Sequence, residues 1–264
     1  MRNVPEGTYV VQKAGKNQVP ALCPVGGNDN ELAGFKICNS AGHLIVVSGA
    51  RNHLHDLRVD FAYSGAMIIT GSSDKNSCVD NMLEDIETSR GSIQRFADGD
   101  AAYYGSNAYA YIAVCNAMKT CKRNTFRRVR SHHQNGESLV LGKGSEDCVI
   151  EDCVVWNNYH MNIYLNNTQN PTVRWTTSWT TWNDEYLRGS ENPGPTETLV
   201  FGDEATGQDD VGEFSQGQKV YGNFFIGGAT PFGIRVGKNY NTRLRDAYIA
   251  VSYTHLTLPT NREV

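Results

Sequence analysis

Apolar residues recur along this chain with a period of 23 to 25 residues, each copy spaced as apolar, two residues, apolar, one residue, apolar or small. A period of that length means stacked coils, because one such unit cannot bury its apolar edge alone and needs a neighbour above and below. Taking the first apolar residue of each copy as an anchor gives Leu54, Val79, Phe126, Ile150, Val173, Tyr221 and Leu244, separated by 25, 47, 24, 23, 48 and 23 residues. The two long steps are close to twice the others and leave room for one further coil each. Three residues after the anchors stand Leu57, Met82, Val129, Cys153, Thr176, Phe224 and Ala247, and five after stand Val59, Glu84, Ser131, Val155, Ser178, Ile226 and Ile249. These are expected to point inward, with Glu84 an imperfection.

Thirteen residues after three of the anchors come Leu139, Ile163 and Ile234, followed two later by Leu141, Leu165 and Val236. That is a strand of period two on a second side of each coil. Asn52, Asn76, Asn124, Asn170 and Asn241 lie two or three residues before anchors. Asparagine tolerates left-handed backbone, which suits a repeated corner.

The segments Asn124 to Leu141, Cys148 to Leu165 and Lys219 to Val236 resemble the right-handed parallel β-helix family, the pectate-lyase-like architecture of many polysaccharide lyases, hydrolases, epimerases and tailspike proteins. The resemblance covers roughly Gly42 to Ala250 and implies an all-β solenoid. It implies function only weakly, because one fold hosts many activities.

The domain reading is a leading or capping segment over 1–41, with a strand at Thr8 to Val11, then a β-helix over 42–250 interrupted by irregular insertions near 97–122 and 184–218. Residues Val251 to Val264 abandon the repeat and look like a translated sequencing adapter, so the β-helix is expected to be truncated there. A hydrophobic fraction of 39% fits a narrow core with many corner residues. Net charge is −4 and no basic run is long enough to track phosphates, which argues against nucleic acid. No apolar stretch is long enough for a membrane span. Arg127, Arg128 and Arg130 face Glu151 and Asp152 of the next coil in a charge ladder. The seven cysteines show no zinc spacing; Cys115 and Cys121 are close enough in sequence to close a short loop in an oxidising compartment.

Six residues after the anchors the ladder reads Asp60, Asp85, His132, Trp156, Trp179 and Gly227. A histidine and two tryptophans on successive coils suit sugar binding with a proton-transfer group beside it. The candidate catalytic residues are Arg128, Arg130, His132, His133, Glu137 and His160; the candidate substrate-binding residues are Trp156, Tyr159, Asn162, Tyr164, Trp179 and Trp182. For β-elimination on a uronate these supply a base and cationic groups to offset carboxylate charge, and Glu137 with Asp184 are carboxylates that calcium would need. Two coils separate those carboxylates, roughly 10 Å, too wide for one ion without a third ligand. The acidic insertion lacks the spacing of a calcium loop, and both histidines and tryptophans also occur as ordinary corner and cover residues.

The expected function is therefore an extracellular, secreted or cell-surface carbohydrate-active β-helix acting on an acidic polysaccharide as lyase or hydrolase, with calcium the one cofactor in view. The alternatives are a non-catalytic glycan-binding or structural module of the adhesin or tailspike kind and, with less behind it, an epimerase acting on uronates in the same groove.

Overall fold

The computed structural model describes residues 22–70, 78–92, 112–116, 121–142, 144–158, 161–181, 197–204, 215–227, 233–236, 244–250 and 253–256. Among them the chain is all-β, without helix, and its strands form parallel sheets of fourteen, eight and two strands. One circuit shows the plan. Thr125–Arg127 and Arg130–His132 lie in the larger sheet and Glu137–Gly142 in the eight-stranded one. The next circuit lays Val149–Glu151, Val154–Trp156 and Met161–Asn166 alongside them in register.

The true register corrects several anchors. Leu54 pairs with Leu83, Leu83 with Phe126, Phe126 with Ile150, Ile150 with Val173, Val173 with Val220 and Val220 with Ile249. Val79, Tyr221 and Leu244 are thus not the inward anchors of their circuits. Phe126 pairs directly with Leu83, and Val220 with Val173, so no extra coil fills the long steps; each is one circuit carrying an insertion. The shift also removes the anomaly at Glu84. Counting from Leu83, the inward positions are Ile86 and Thr88, both buried, while Glu84 faces outward toward arginines. At the other end Phe225 is buried and Phe224 is exposed.

The second side of each circuit runs as its period-two pattern predicts. Leu139, Ile163, Leu199 and Ile234 form one column, and Leu141, Leu165, Phe201 and Val236 another. Strands Ile112–Asn116 and Glu197–Gly202 belong to this sheet, so both irregular stretches hold an ordinary strand. Leucine, isoleucine, valine and phenylalanine from both sheets meet in one apolar core. Dispersion and burial accumulate along its length, about 25 cal/mol for each Å² of apolar surface removed from water. Ile68, Val140, Met161, Tyr164 and Val200 form a second buried cluster, separate from that core.

Three columns of left-handed residues flank the strands of the larger sheet. The first holds Asp29, Arg51, Asp80, Arg123, Asp147, Asn170, Gly217 and Asp246, the second Gly34, Asp56, Asp85, Arg128, Asp152, Trp175 and Gly222, and the third Asn39, Phe61, Arg90, His133 and Asn157. Left-handed backbone costs an L-residue roughly 1–2 kcal/mol, so these positions need compensation. Charged side chains provide part of it by pairing between circuits: Arg51 with Asp29, Arg123 with Asp80, and Arg128 with Asp85. Of the asparagines expected at corners, Asn170 is one. Asn52 and Asn124 instead point inward with Asn81 as a buried amide ladder, while Asn76 and Asn241 lie outside the described residues.

The strand stack begins upstream of Gly42, since Glu31–Ala33 and Lys36–Ser40 already pair with His53–Ala62, and Cys23–Val25 with Ile45–Val47. Thr8 to Val11 lies outside the described residues. Pairing also continues past Ala250, where Tyr253–Leu256 lies beside Phe224–Gly227. Of the cysteines, Cys78, Cys121, Cys148 and Cys153 are buried. Burial pushes the Cys153 thiol up to about 12, so it behaves as a small apolar core residue. No helix among the described residues is long and apolar enough to cross a membrane.

Candidate functional site

Parallel register places His132 beside Trp156 and Trp156 beside Trp179 on the outward side of the larger sheet. Corrected for the anchors, the rest of this column is Cys38, Asp60 and Ser89 before His132, and Ile226 and His255 after Trp179. The three rings stack. His132 lies 4.2 Å from Trp156 between centroids at 18°, and Trp156 lies 5.2 Å from Trp179 at 9°. Stacking at these separations is favourable, but it turns the inner ring faces toward one another. The column therefore presents indole edges to solvent, and a flat face for a sugar is left only at its ends.

Arg130 shares the outward side of this strand, two residues before His132, and its guanidinium carbon lies 5.8 Å from the Trp156 ring centroid. His133 is the next residue, held left-handed at the third corner, and its ring meets His132 edge-on. The two Nδ1 atoms are 2.6 Å apart, so one must be an N–H donor and the other an acceptor. On the other side His132 Nε2 lies 3.4 Å from Glu87, which also receives Arg58 at 2.9 Å. Burial of the His132 ring, then the neighbouring His133, lowers its pKa against the opposing pull of Glu87. His132 is accordingly neutral at pH 7.

Other sequence candidates go elsewhere. Arg128 sits at the second corner, bound to Asp85 through both Nε and a terminal nitrogen and to Glu84. Glu137 opens a strand of the eight-stranded sheet and is buried, not on the face that carries His132. Asn162 is fully buried on that sheet; its Nδ2 donates to Ser178 at 3.0 Å and to the Trp179 carbonyl at 2.9 Å, and its Oδ1 accepts from Asn158 at 2.8 Å. It supports the Trp179 strand from inside and has no surface for a ligand. Tyr164 belongs to the second buried cluster. Its hydroxyl occupies the space that a Cβ on Gly202 would need, which requires glycine there. Tyr159, His160, Trp182 and Asp184 lie outside the described residues.

The expected ladder of arginines and acids is real but spans four circuits. Arg127 and Arg174 both close on buried Glu151, and Arg127 also approaches Glu84 at 3.6 Å. Asp152 is not part of that pair; it sits at the second corner.

One cluster escaped the sequence reading. His53 and His55 stand two residues apart on one strand, with centroids 4.4 Å apart, among Glu31, Asp56 and Glu84. The signal was available as a His-x-His alternation, masked by its place inside an apolar strand pattern. Compared with protein-family models, curated proteins and solved structures, the chain finds no match.

Proposed function

We propose that this chain is a right-handed parallel β-helix, acting outside the cell or at its surface, that takes up an acidic polysaccharide along the face carrying Arg130, His132, Trp156 and Trp179. The observation that carries this reading is an imidazole next to a guanidinium on a continuous column of stacked aromatic rings. Indole edges offer N–H donors and apolar rims to sugar hydroxyls and ring carbons, and Arg130 suits a uronate carboxylate. The same two groups suit β-elimination. His132 would accept the proton from carbon five on Nδ1, released from His133, the electrons would form the double bond to carbon four, and the bond from carbon four to the leaving oxygen would break with that oxygen taking a proton from solvent, while Arg130 offsets charge on the carboxylate.

Affinity gel electrophoresis against a panel of polyuronates, paired with ultraviolet absorbance of unsaturated products, tests the reading. Retardation that weakens in Arg130→Ala and Trp156→Ala, with absorbance that disappears in His132→Ala, is the expected pattern. If the wild-type chain passes every polyuronate unretarded, the reading is wrong.

A second reading, a binding module without catalysis, draws on the closed inner ring faces and on the burial of Glu137 in the other sheet. Its mark would be retardation without absorbance and without new reducing ends.

A further inference from the structure

The cluster around His53 and His55 has a geometry of its own, on a different part of the larger sheet from Trp156. Residues two apart on a strand share a face, so His53 and His55 both project outward, and the parallel register sets Glu31 of the preceding circuit beside them. One ligand atom each from Glu31, His53 and His55 lies within 4.8 Å of the other two. Tetrahedral zinc bonds of about 2.0–2.2 Å set ligand atoms about 3.3–3.6 Å apart, so side-chain rotations moving the ligand atoms by up to about 1.5 Å close the set.

The surroundings are arranged as outer ligands usually are. His55 Nδ1 is 2.8 Å from Asp56, leaving Nε2 aimed at Glu31 at 3.0 Å. His53 Nε2 is 3.1 Å from Glu84. Each imidazole thus has its own carboxylate to fix the ring, the pattern that orients metal-bound histidines.

We propose that Glu31, His53 and His55 form a binding site for a divalent cation of the zinc class. Two imidazoles with one carboxylate suit zinc or its substitute cobalt and disfavour calcium, which takes oxygen ligands. Three protein ligands at an exposed surface leave a coordination position for water or a ligand group. The site is independent of the polysaccharide reading.

Titrating the full-length chain with Co2+ tests this, followed by competition with Zn2+. One equivalent is expected to produce the visible bands of four- or five-coordinate cobalt, displaced by zinc. Those bands are expected to be lost in His53→Ala and His55→Ala, and kept in His132→Ala. Glu31 is exposed, so Glu31→Gln tests the carboxylate ligand without disturbing the strand and should weaken binding at least tenfold. Asp56→Asn should weaken it about ten- to a hundredfold. Far-ultraviolet circular dichroism checks that each variant keeps its strands. Absence of saturable bands in the wild type overturns the proposal, and so does unchanged affinity in folded Glu31→Gln or His55→Gln.

Discussion

Asn81 donates both its backbone N–H, at 2.8 Å, and its side-chain amide, at 3.0 Å, to the side-chain oxygen of Asn124 on the next circuit. The same bond pair links Asn30 to Asn52 and Asn52 to Asn81, while the amide of Asn81 also reaches the Gly49 carbonyl. Only a side chain with both donor and acceptor can serve this ladder, and Asn52, Asn81 and Asn124 are buried in it.

Replacing Asn81 by alanine takes away the partner of the buried Asn52 backbone N–H and of the Gly49 carbonyl, while the Asn52 side-chain amide keeps the Gly27 carbonyl. The cost expected is about 2–4 kcal/mol, since each stranded buried group costs about 1–3 kcal/mol. Asn81→Asp should also destabilise, because it keeps the acceptor but buries charge and loses the donor. Urea unfolding midpoints at matched slope measure both.

Glu151 is buried between Arg127 and Arg174. Burial alone would raise its pKa, but the bonds from Arg174 and Arg127 outweigh it and hold the carboxyl below its ordinary 4.5. A depressed carboxylate stabilises the fold fully above the unfolded value and loses that contribution as pH falls through the folded value. The stability gap between wild type and Glu151→Gln should therefore be constant from neutral pH to about 5 and narrow on further acidification. A gap that does not change over that range would contradict this account. At neutral pH the variant should lose about 1–3 kcal/mol from the bonds to charged donors.

His132 carries the same sign of pH dependence, in a higher pH range. Its pKa is lowered, so the unfolded chain takes up a proton near the ordinary 6.5 while the folded chain resists it. Its contribution to stability is complete above that value and declines as pH falls below it, until the folded ring also titrates. Glu87→Gln removes the group that opposes the shift and should lower the pKa further. Histidine ring signals followed by NMR across pH 4 to 8, an ordinary span for such titrations, report it directly. An His132 midpoint at or above 6.5 in the wild type would count against its role as a neutral base.

The two glycines of the second corner separate backbone cost from steric cost. Gly34 has φ of 75° with nothing within 4 Å of an added Cβ, whereas at Gly222, φ 65°, that atom would come 2.9 Å from Trp175. Gly34→Ala should cost about 1 kcal/mol, the left-handed penalty alone. Gly222→Ala should cost more, about 2 kcal/mol or above, through displacement of the Trp175 ring. Thermal midpoints of the two variants give the comparison.

The period and its inward offsets were legible because valine, leucine and isoleucine repeat where the core needs them. At Leu83 the reading slipped by four residues. Its inward partners are Ile86 and Thr88, and a buried threonine weakens the apolar signature, while Val79 and Met82 imitate it. Insertions then hid the error, since Leu54 to Leu83 spans 29 residues and Leu83 to Phe126 spans 43. The His132, Trp156 and Trp179 column was readable from offsets alone because those circuits have nearly equal length. How the rings lie was not, for spacing places side chains on a face but does not orient them. Nor did it show that Asn162 points inward, because a polar residue in an alternating strand reads as exposed.

The three left-handed columns carry a consequence for how such a chain tolerates change. Each corner sets the phase of its own circuit locally, so circuits stepping 23 residues, as from Ile150 to Val173, and 47, as from Val173 to Val220, return to the same register. Segment length between Trp179 and Glu197 is thus uncoupled from strand alignment. Foreign loops grafted there should leave neighbouring circuits in phase, making that margin a place where new recognition can be added without rebuilding the scaffold.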